Sequence, residues 1–371
     1  MMSARFLTVV LERAFNMRDG FGREIDYMRI SVIDSCNLNC YYCNPCDNNE
    51  HCHALNILSV KEVLCIVRAA TRLGIKHFRL TGGEPLLHPQ LDEMVLQIKK
   101  IPGVSSVSLT TNAVLLVQHA KWLKEAGIDS INVSLDTIDA SEYERITKKP
   151  LLEEVKHGIN AAIECGIRVK INVVLTPQTD VVALTRYVAK KGTDIRFIEM
   201  MPVGEGHTNG VEPYKKVIGT LSKLYGEPCR INTEKTKEIN SENDKRKIPD
   251  NGPAEYYIFP ELGIRVGLIQ AIHGKFCDTC NRIRVTADGK LMPCLGSSVT
   301  MDLVPDSWDF ADDVEKDFAI VRALRAAIKA KPRCHNFNDN AVTYTKTTET
   351  KTTEIEAAEV NAARNMSRIG G

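Results

Sequence analysis

Between Tyr27 and Met201 the chain alternates short apolar, β-branched runs with longer stretches whose apolar positions recur every three or four residues. The short runs predict strands at Tyr27–Ile33, Lys76–Thr81, Ser105–Thr110, Ser130–Leu135, Arg168–Val174 and Asp194–Met200. The longer ones predict helices near Pro89–Lys100, Val117–Ala126, Leu151–Cys165 and Thr179–Lys191. A further helix opens on Ser59-x-x-Glu62, a reciprocal N-terminal cap, and closes near Gly74. Gly127, Gly166 and Gly192 each follow a helix, where a left-handed C-terminal cap is expected. Six β-α units in this order predict a parallel sheet, curled or open.

Beyond Pro202 the pattern changes. Thr233 to Asn251 is charged and polar and reads as a linker or surface loop. Pro253–Phe259 and Ile264–Ile269 read as the arms of a hairpin turning at Pro260 to Gly263. Thr343 to Glu359, rich in Thr, Glu and Lys, reads as flexible, with its Ile-Glu-Ala-Ala part able to form a short helix. These shifts divide the 371 residues into an extension (1–25), a β/α unit (26–230), a C-terminal region (231–342) and a tail (343–371).

Composition narrows the function. A net charge of +1 lacks the basic excess of a nucleic-acid surface. No apolar run approaches the roughly 20 residues needed to span a bilayer. Phe6 to Leu11 is too short for the core of a signal peptide. The expected location is cytoplasmic, with neither nucleic acid nor membrane as a partner. In that setting, twelve cysteines suit metal or redox chemistry better than a disulfide framework.

Cys36, Cys40 and Cys43 form a C-x3-C-x2-C run directly after the first strand. Three thiolates at that spacing hold three irons of a [4Fe–4S] cluster and leave the fourth iron open; electron-transfer clusters normally use four cysteines. Zinc is the alternative, and Cys46 and Cys52 lie close enough to offer a fourth ligand. Cys277, Cys280 and Cys294 form a second triplet, C-x2-C-x13-C, split by an Asp288-Gly289 turn. Here too zinc, with Cys334 or His335, is the alternative. Small or chemically distinctive residues end five strands: the first triplet, Gly82-Gly83, Thr110-Thr111-Asn112, Ser134-Leu135-Asp136 and Glu199-Met200-Met201. In parallel β/α barrels the chemistry gathers at that end.

The first triplet with Tyr42, together with Leu80-Thr-Gly-Gly-Glu-Pro-Leu-Leu87, resembles the radical S-adenosylmethionine (SAM) superfamily. Adding the second triplet, the chain from about Gly22 to Leu295 and again at Arg364–Gly371 resembles the GTP 3′,8-cyclase family of molybdenum cofactor biosynthesis. Matching stretches include Tyr27-Met-Arg-Ile-Ser-Val, Ile131-Asn-Val-Ser-Leu-Asp, Val169-Lys-Ile-Asn-Val-Val and Ile195–Gly204. Ala113 stands where the family usually has Gly and Asn44 where it has Met; Cys46, Cys52 and the Thr-rich insert are extra.

The resemblance implies an α/β fold, a partial (β/α)6 TIM-type barrel with a C-terminal auxiliary iron–sulfur region. It implies two [4Fe–4S] clusters, one on Cys36, Cys40 and Cys43 and one on Cys277, Cys280 and Cys294. SAM would meet Tyr42, Gly83, Ser134 and Met201. GTP would meet Arg29, Arg79, Thr110, Lys170, Arg282 and Arg284, and Gly370 and Gly371 would reach into the active site. The implied reaction, the first step of the pathway, converts GTP to 3′,8-cyclo-7,8-dihydroguanosine 5′-triphosphate through a 5′-deoxyadenosyl radical. Implied partners are an electron donor such as a flavodoxin or ferredoxin, the downstream cyclic pyranopterin monophosphate synthase, and a second copy in a homodimer. A radical SAM enzyme acting on a peptide or other small molecule is the competing reading, but it has less need of so many cations. Charges placed within apolar strands cost several kcal/mol unless neutralised, and a triphosphate would neutralise them.

Overall fold

The structure, a computed structural model, describes residues 17–43, 56–203, 210–231, 252–297, 299–303, 313–335 and 337. The linker, the Thr-rich stretch, the Gly-Gly tail, Cys46 and Cys52 lie outside the described residues.

Six strands follow one another in the sheet in chain order: β1 (Tyr27–Ser31), β2 (His77–Thr81), β3 (Ser106–Thr111), β4 (Ser130–Ser134), β5 (Arg168–Val174) and β6 (Asp194–Ile198). All pair in parallel. The crossovers carry α1 (Val60–Arg72), α2 (Leu91–Lys99), α3 (Leu116–Glu125), α4 (Ala140–Thr147), α5 (Leu152–Glu164) and α6 (Val181–Lys190). α1 starts on the reciprocal Ser59–Glu62 cap, and Gly74, Gly127, Gly166 and Gly192 all take positive φ where the chain leaves a helix. α4 is an element that the periodicity did not suggest. Its signal is Asp139, whose carboxylate accepts from the Glu142 amide and caps the helix.

The sheet continues past six strands at both ends. After α7 (Gly219–Tyr225) and β7 (Cys229–Arg230), β8 (Glu255–Ile258) and β9 (Arg265–Ile269) form the expected hairpin, and β9 pairs in parallel with β6. At the other edge β10 (Arg282–Val285) pairs in parallel with β1 and turns through Asp288-Gly289 into antiparallel β11 (Lys290–Met292). With β12 (Met301–Asp302) the twelve strands run β12-β11-β10-β1-β2-β3-β4-β5-β6-β9-β8-β7. α8 (Asp313–Lys329) packs on α1, tied by an Arg72–Asp317 ion pair of 2.8 Å.

Strand alternation sets what each face carries. Met28, Ile30, Phe78, Leu80, Val107, Leu109, Ile131 and Val133 are fully buried and join one apolar core with helix residues such as Val63, Ile66, Met94 and Ile159. The alternate positions are polar and stand side by side across the register. Arg284, Arg29 and Arg79 align on β10, β1 and β2; Thr110, Asn132 and Lys170 on β3 to β5; Ser134, Asn172 and Arg196 on β4 to β6. A conventional β/α barrel fills its interior with branched apolar side chains. Here the inner face carries charge and hydroxyls, and all of these polar residues except Lys170 line one cavity of about 320 Å³.

Candidate active site

The first cysteine loop follows β1 and is fixed from three sides. Asn39 and Tyr41 donate their amides to the carbonyls of Thr147 and Ile146, at 3.0 and 3.1 Å, at the end of α4. The Tyr42 hydroxyl donates to Asp136 after β4, which also accepts from the Val174 amide at 2.7 Å. Burial raises the Asp136 carboxyl to about 6, despite these bonds. On the third side, the amides of Gly83 and Glu84 donate to the carbonyls of Ile33 (2.7 Å) and Ser35 (2.8 Å).

That third contact explains the glycine pair. A Cβ on Gly83 would lie 2.5 Å from the Asp34 carbonyl oxygen and closer still to that of Ser35; one on Gly82 would overlap the Ile33 carbonyl. The pair lines the cavity, but its demand for glycine comes from the backbone leading into Cys36 rather than from a ligand. Glu84, 1% exposed, accepts from the Thr111 hydroxyl (2.6 Å) and from the amides of Asn112 (2.7 Å) and Leu86 (3.0 Å). Asn112 in turn donates to Asn37 at 2.7 Å. The ends of β2 and β3 are thereby tied to the cysteine loop. Ala113, next in the chain, sits at φ +65, the left-handed region that favours the family's usual glycine.

Cys36, Cys40 and Cys43 all face the cavity. Burial pushes the Cys36 thiol up to about 11, and pushes Cys40 up further, with added repulsion from Asp136 and from the other two thiols. Two neighbouring thiols that resist ionisation, Cys36 and Cys40, suit a site whose metal draws off the protons. Among the described residues no three Cys, His, Asp or Glu groups close on a single metal ion. A multi-iron cluster needs no such convergence, because its ligands approach a wide body from different sides.

Across the cavity stand Cys277, Cys280 and Cys294. Cys277 opens a 3-10 turn (Cys277–Thr279) ahead of β10, and Cys294 follows β11. Burial opposes ionisation of Cys280, but Arg282 and Lys331 outweigh it and bring the thiol down to about 7. Cys334 is exposed and outside the cavity wall, whereas His335 lines it and bonds the Ala271 carbonyl through Nε2 at 2.8 Å.

Between the two triplets lie the cations. Burial, followed by the charges of Arg284 and Arg79, presses the Arg29 guanidinium well below its ordinary value. Burial and then Arg282 bring Arg284 down to about 10. Arg79 donates to the Tyr27 hydroxyl and, at 3.4 Å, to Thr110. The Tyr27 hydroxyl is itself driven toward ionisation: burial opposes this, and Arg79 with Arg29 overcomes it. Arg282 lies over the Phe276 ring at 4.9 Å, with Nη2 3.7 Å from the Cys280 sulfur. Four arginines on one wall, two of them depressed by burial and by neighbouring guanidinium charge, make a polyanion their natural counterpart.

All six cysteines, Tyr42, Gly83, Ser134, Met201, Arg29, Arg79, Thr110, Arg282 and Arg284 share this one cavity. Lys170 is buried one layer below Asn172, off the cavity wall, and Gly370 and Gly371 are outside the described residues. Arg196 and Lys331 are in the wall although the sequence reading gave them no role there; Asp136 and Asn112, read as strand-end residues, and Glu84, read within the Gly-Gly-Glu-Pro motif, are in it too. For Asn172 and Arg196 the signal was alternation: Lys170-Ile-Asn172 and Asp194-Ile-Arg196 place polar residues at every second position. Arg196 Nε donates to Asn172 at 2.9 Å.

Residues 30–183 match the radical SAM superfamily and residues 193–337 the molybdenum cofactor synthesis C-terminal family. A GTP 3′,8-cyclase of Clostridium perfringens is 35% identical over 324 residues, spanning 86% of this chain and 95% of its own. The chain belongs to the GTP 3′,8-cyclase family. A cyclase of Pelotomaculum thermopropionicum is 36% identical over the same share of each chain. Among solved structures, Streptococcus suis SuiB bound to its precursor peptide SuiA superposes with a TM-score of 0.54. At 14% identity, over 87% of this chain and 69% of SuiB, that likeness shows the fold alone. As a radical SAM member, the cyclase family carries a [4Fe–4S] cluster and uses SAM. No helix among the described residues is long and apolar enough to cross a membrane.

Proposed function

We propose that this chain is a GTP 3′,8-cyclase working with two [4Fe–4S] clusters, one on Cys36, Cys40 and Cys43 and one on Cys277, Cys280 and Cys294. The observation that carries this reading is that two cysteine triplets and four arginines open on one cavity. When bound, the first cluster and SAM together supply the radical that starts the reaction.

The protein's own part is placement. Tyr42, Gly83, Ser134 and Met201 would hold SAM in the cavity that the first triplet lines, with Asp136 fixing Tyr42. Arg29, Arg79, Arg282 and Arg284, helped by the Thr110 hydroxyl, take the triphosphate through paired hydrogen bonds. Lys170 acts from beneath, adding positive charge at depth. The guanine end then faces the second triplet, and the ribose lies between the two. Holding both reactants at fixed distance inside one pocket lowers the entropic barrier. Gly370-Gly371 completes the site from the tail. A flavodoxin or ferredoxin supplies the electron, the downstream cyclic pyranopterin monophosphate synthase takes the product, and two copies form a homodimer. The chain divides at residues 25, 230 and 342 into extension, partial barrel, auxiliary-cluster region and tail.

A peptide-modifying radical SAM enzyme is the alternative, and the arginine cluster favours the nucleotide over it. Isothermal titration of the anaerobic protein separates them. GTP is expected to bind with an affinity that falls on the order of tenfold to a hundredfold in Arg282→Ala, while SAM binding is kept. GTP binding that ignores this substitution contradicts the assignment.

A further inference from the structure

The second triplet is assembled from two loops separated by a hairpin, and the structure shows what holds them in register. Lys331, 3% exposed, donates from Nζ to the carbonyl of Arg282 and to that of Pro293, both at 2.8 Å. Arg282 lies two residues after Cys280, and Pro293 immediately precedes Cys294. Arg23, near the start of the described chain, donates from Nη1 to the carbonyl of Cys277 at 2.7 Å and to that of Arg333 at 2.9 Å, and from Nη2 to that of Pro332 at 2.6 Å. Its Nε is paired with Asp19, which fixes the plane of the guanidinium. The two cations are joined through residues 331–333, so one continuous strut touches the backbone at Cys277, two residues beyond Cys280 and next to Cys294.

We propose that Lys331 and Arg23 are the positioning residues of the second cluster site. Buried cations are costly, and these two direct most of their donors to main-chain carbonyls, Arg23 keeping its Nε for Asp19. Such bonds fix the directions in which the three sulfurs point before any metal arrives. They also place positive charge beside thiolates that carry net negative charge once metallated. Lys331 uses two of its three protons on carbonyls and shares the cavity wall with Cys277, Cys280 and Cys294. Partners that orient metal ligands are commonly worth tenfold or more in retention of the metal.

This inference rests on the proposal that the second triplet holds a [4Fe–4S] cluster. The test is release of iron to a ferrous chelator from anaerobically reconstituted full-length protein. Two phases are expected, and replacing Cys277, Cys280 and Cys294 with Ala should delete one of them. Lys331→Met should accelerate that same phase roughly tenfold or more, and shift the electron paramagnetic resonance signal of the reduced second cluster, while leaving the other phase alone. Lys331→Arg should restore most of the slow release. Arg23→Lys, which keeps the charge but can serve fewer carbonyls, should accelerate the same phase severalfold and guards against a variant that simply fails to fold. A single phase that survives loss of the second triplet removes the premise, and the proposal with it. Two phases with release unchanged in Lys331→Met and Arg23→Lys overturn the strut alone, as does equal acceleration of both phases without rescue by Lys331→Arg.

Discussion

The arginine cluster makes a prediction in which stability and binding move in opposite directions. Arg284 is pressed from 12.5 to about 10, by burial first and then by Arg282. A cation whose folded pKa lies below its unfolded value costs stability wherever both states are protonated. The cost is therefore complete below about pH 10 and fades only as pH rises through that value. At roughly 1.4 kcal/mol per unit, keeping Arg284 charged in the fold costs about 3 kcal/mol at neutral pH, as an upper bound. Replacing it with Met removes that cost and relieves Arg29, whose depression names Arg284 as its foremost neighbouring charge. The hydrogen bonding lost with the guanidinium returns part of the gain, about 1–2 kcal/mol. Arg284→Met is therefore expected to melt about 1–3 °C above wild type without nucleotide. With saturating GTP the order should reverse, because wild type gains the linkage energy of binding and the variant gains little. Calorimetry or circular dichroism on anaerobic samples, with and without GTP, reads both arms. A variant that melts below wild type in the absence of GTP would mean that the arginines are structural, and the argument fails.

Other expectations follow from named contacts. Gly83→Ala forces the 33–35 backbone away from β2, breaking two hydrogen bonds and overpacking the loop; a loss of about 2–4 kcal/mol and of most iron at the first triplet is expected from melting and iron analysis. Glu84 is raised by burial to about 7 from 4.5, so the folded state binds its proton more tightly than the unfolded one. Its contribution thus falls as pH rises from about 4.5 to 7, and Glu84→Gln should flatten the stability profile across that window; an unchanged profile contradicts the assignment. Deleting Gly370 and Gly371 should leave the fold and both clusters in place while removing most cyclisation, and wild-type turnover by the truncated protein would show the tail to be only a terminus.

The strands and the polarity of their inner faces were legible because alternation is a local property: Arg29 and Arg79 within apolar runs already indicated a charged interior. The extension of the sheet by β9 and β10 was not, since a hairpin's sequence does not say which distant strand it will pair with. α4 could have been read from Asp139 and Glu142 alone, and it matters because its last carbonyls seat the first cysteine loop. The glycine pair was recognisable as a motif, but its physical reason, close approach to the backbone of Ile33 to Ser35, exists only in three dimensions. Nothing in the sequence singled out Arg23 or Lys331; their partners are main-chain carbonyls, which leave no trace in sequence.

The central claim is that the cavity brings GTP and SAM together for cyclisation. Its most direct test is anaerobic incubation of the reconstituted protein with GTP, SAM and a reductant, followed by mass spectrometry. The account predicts 3′,8-cyclo-7,8-dihydroguanosine 5′-triphosphate, with methionine and 5′-deoxyadenosine formed in GTP-dependent fashion. Cleavage of SAM that is indifferent to GTP, with the nucleotide recovered intact, would contradict it.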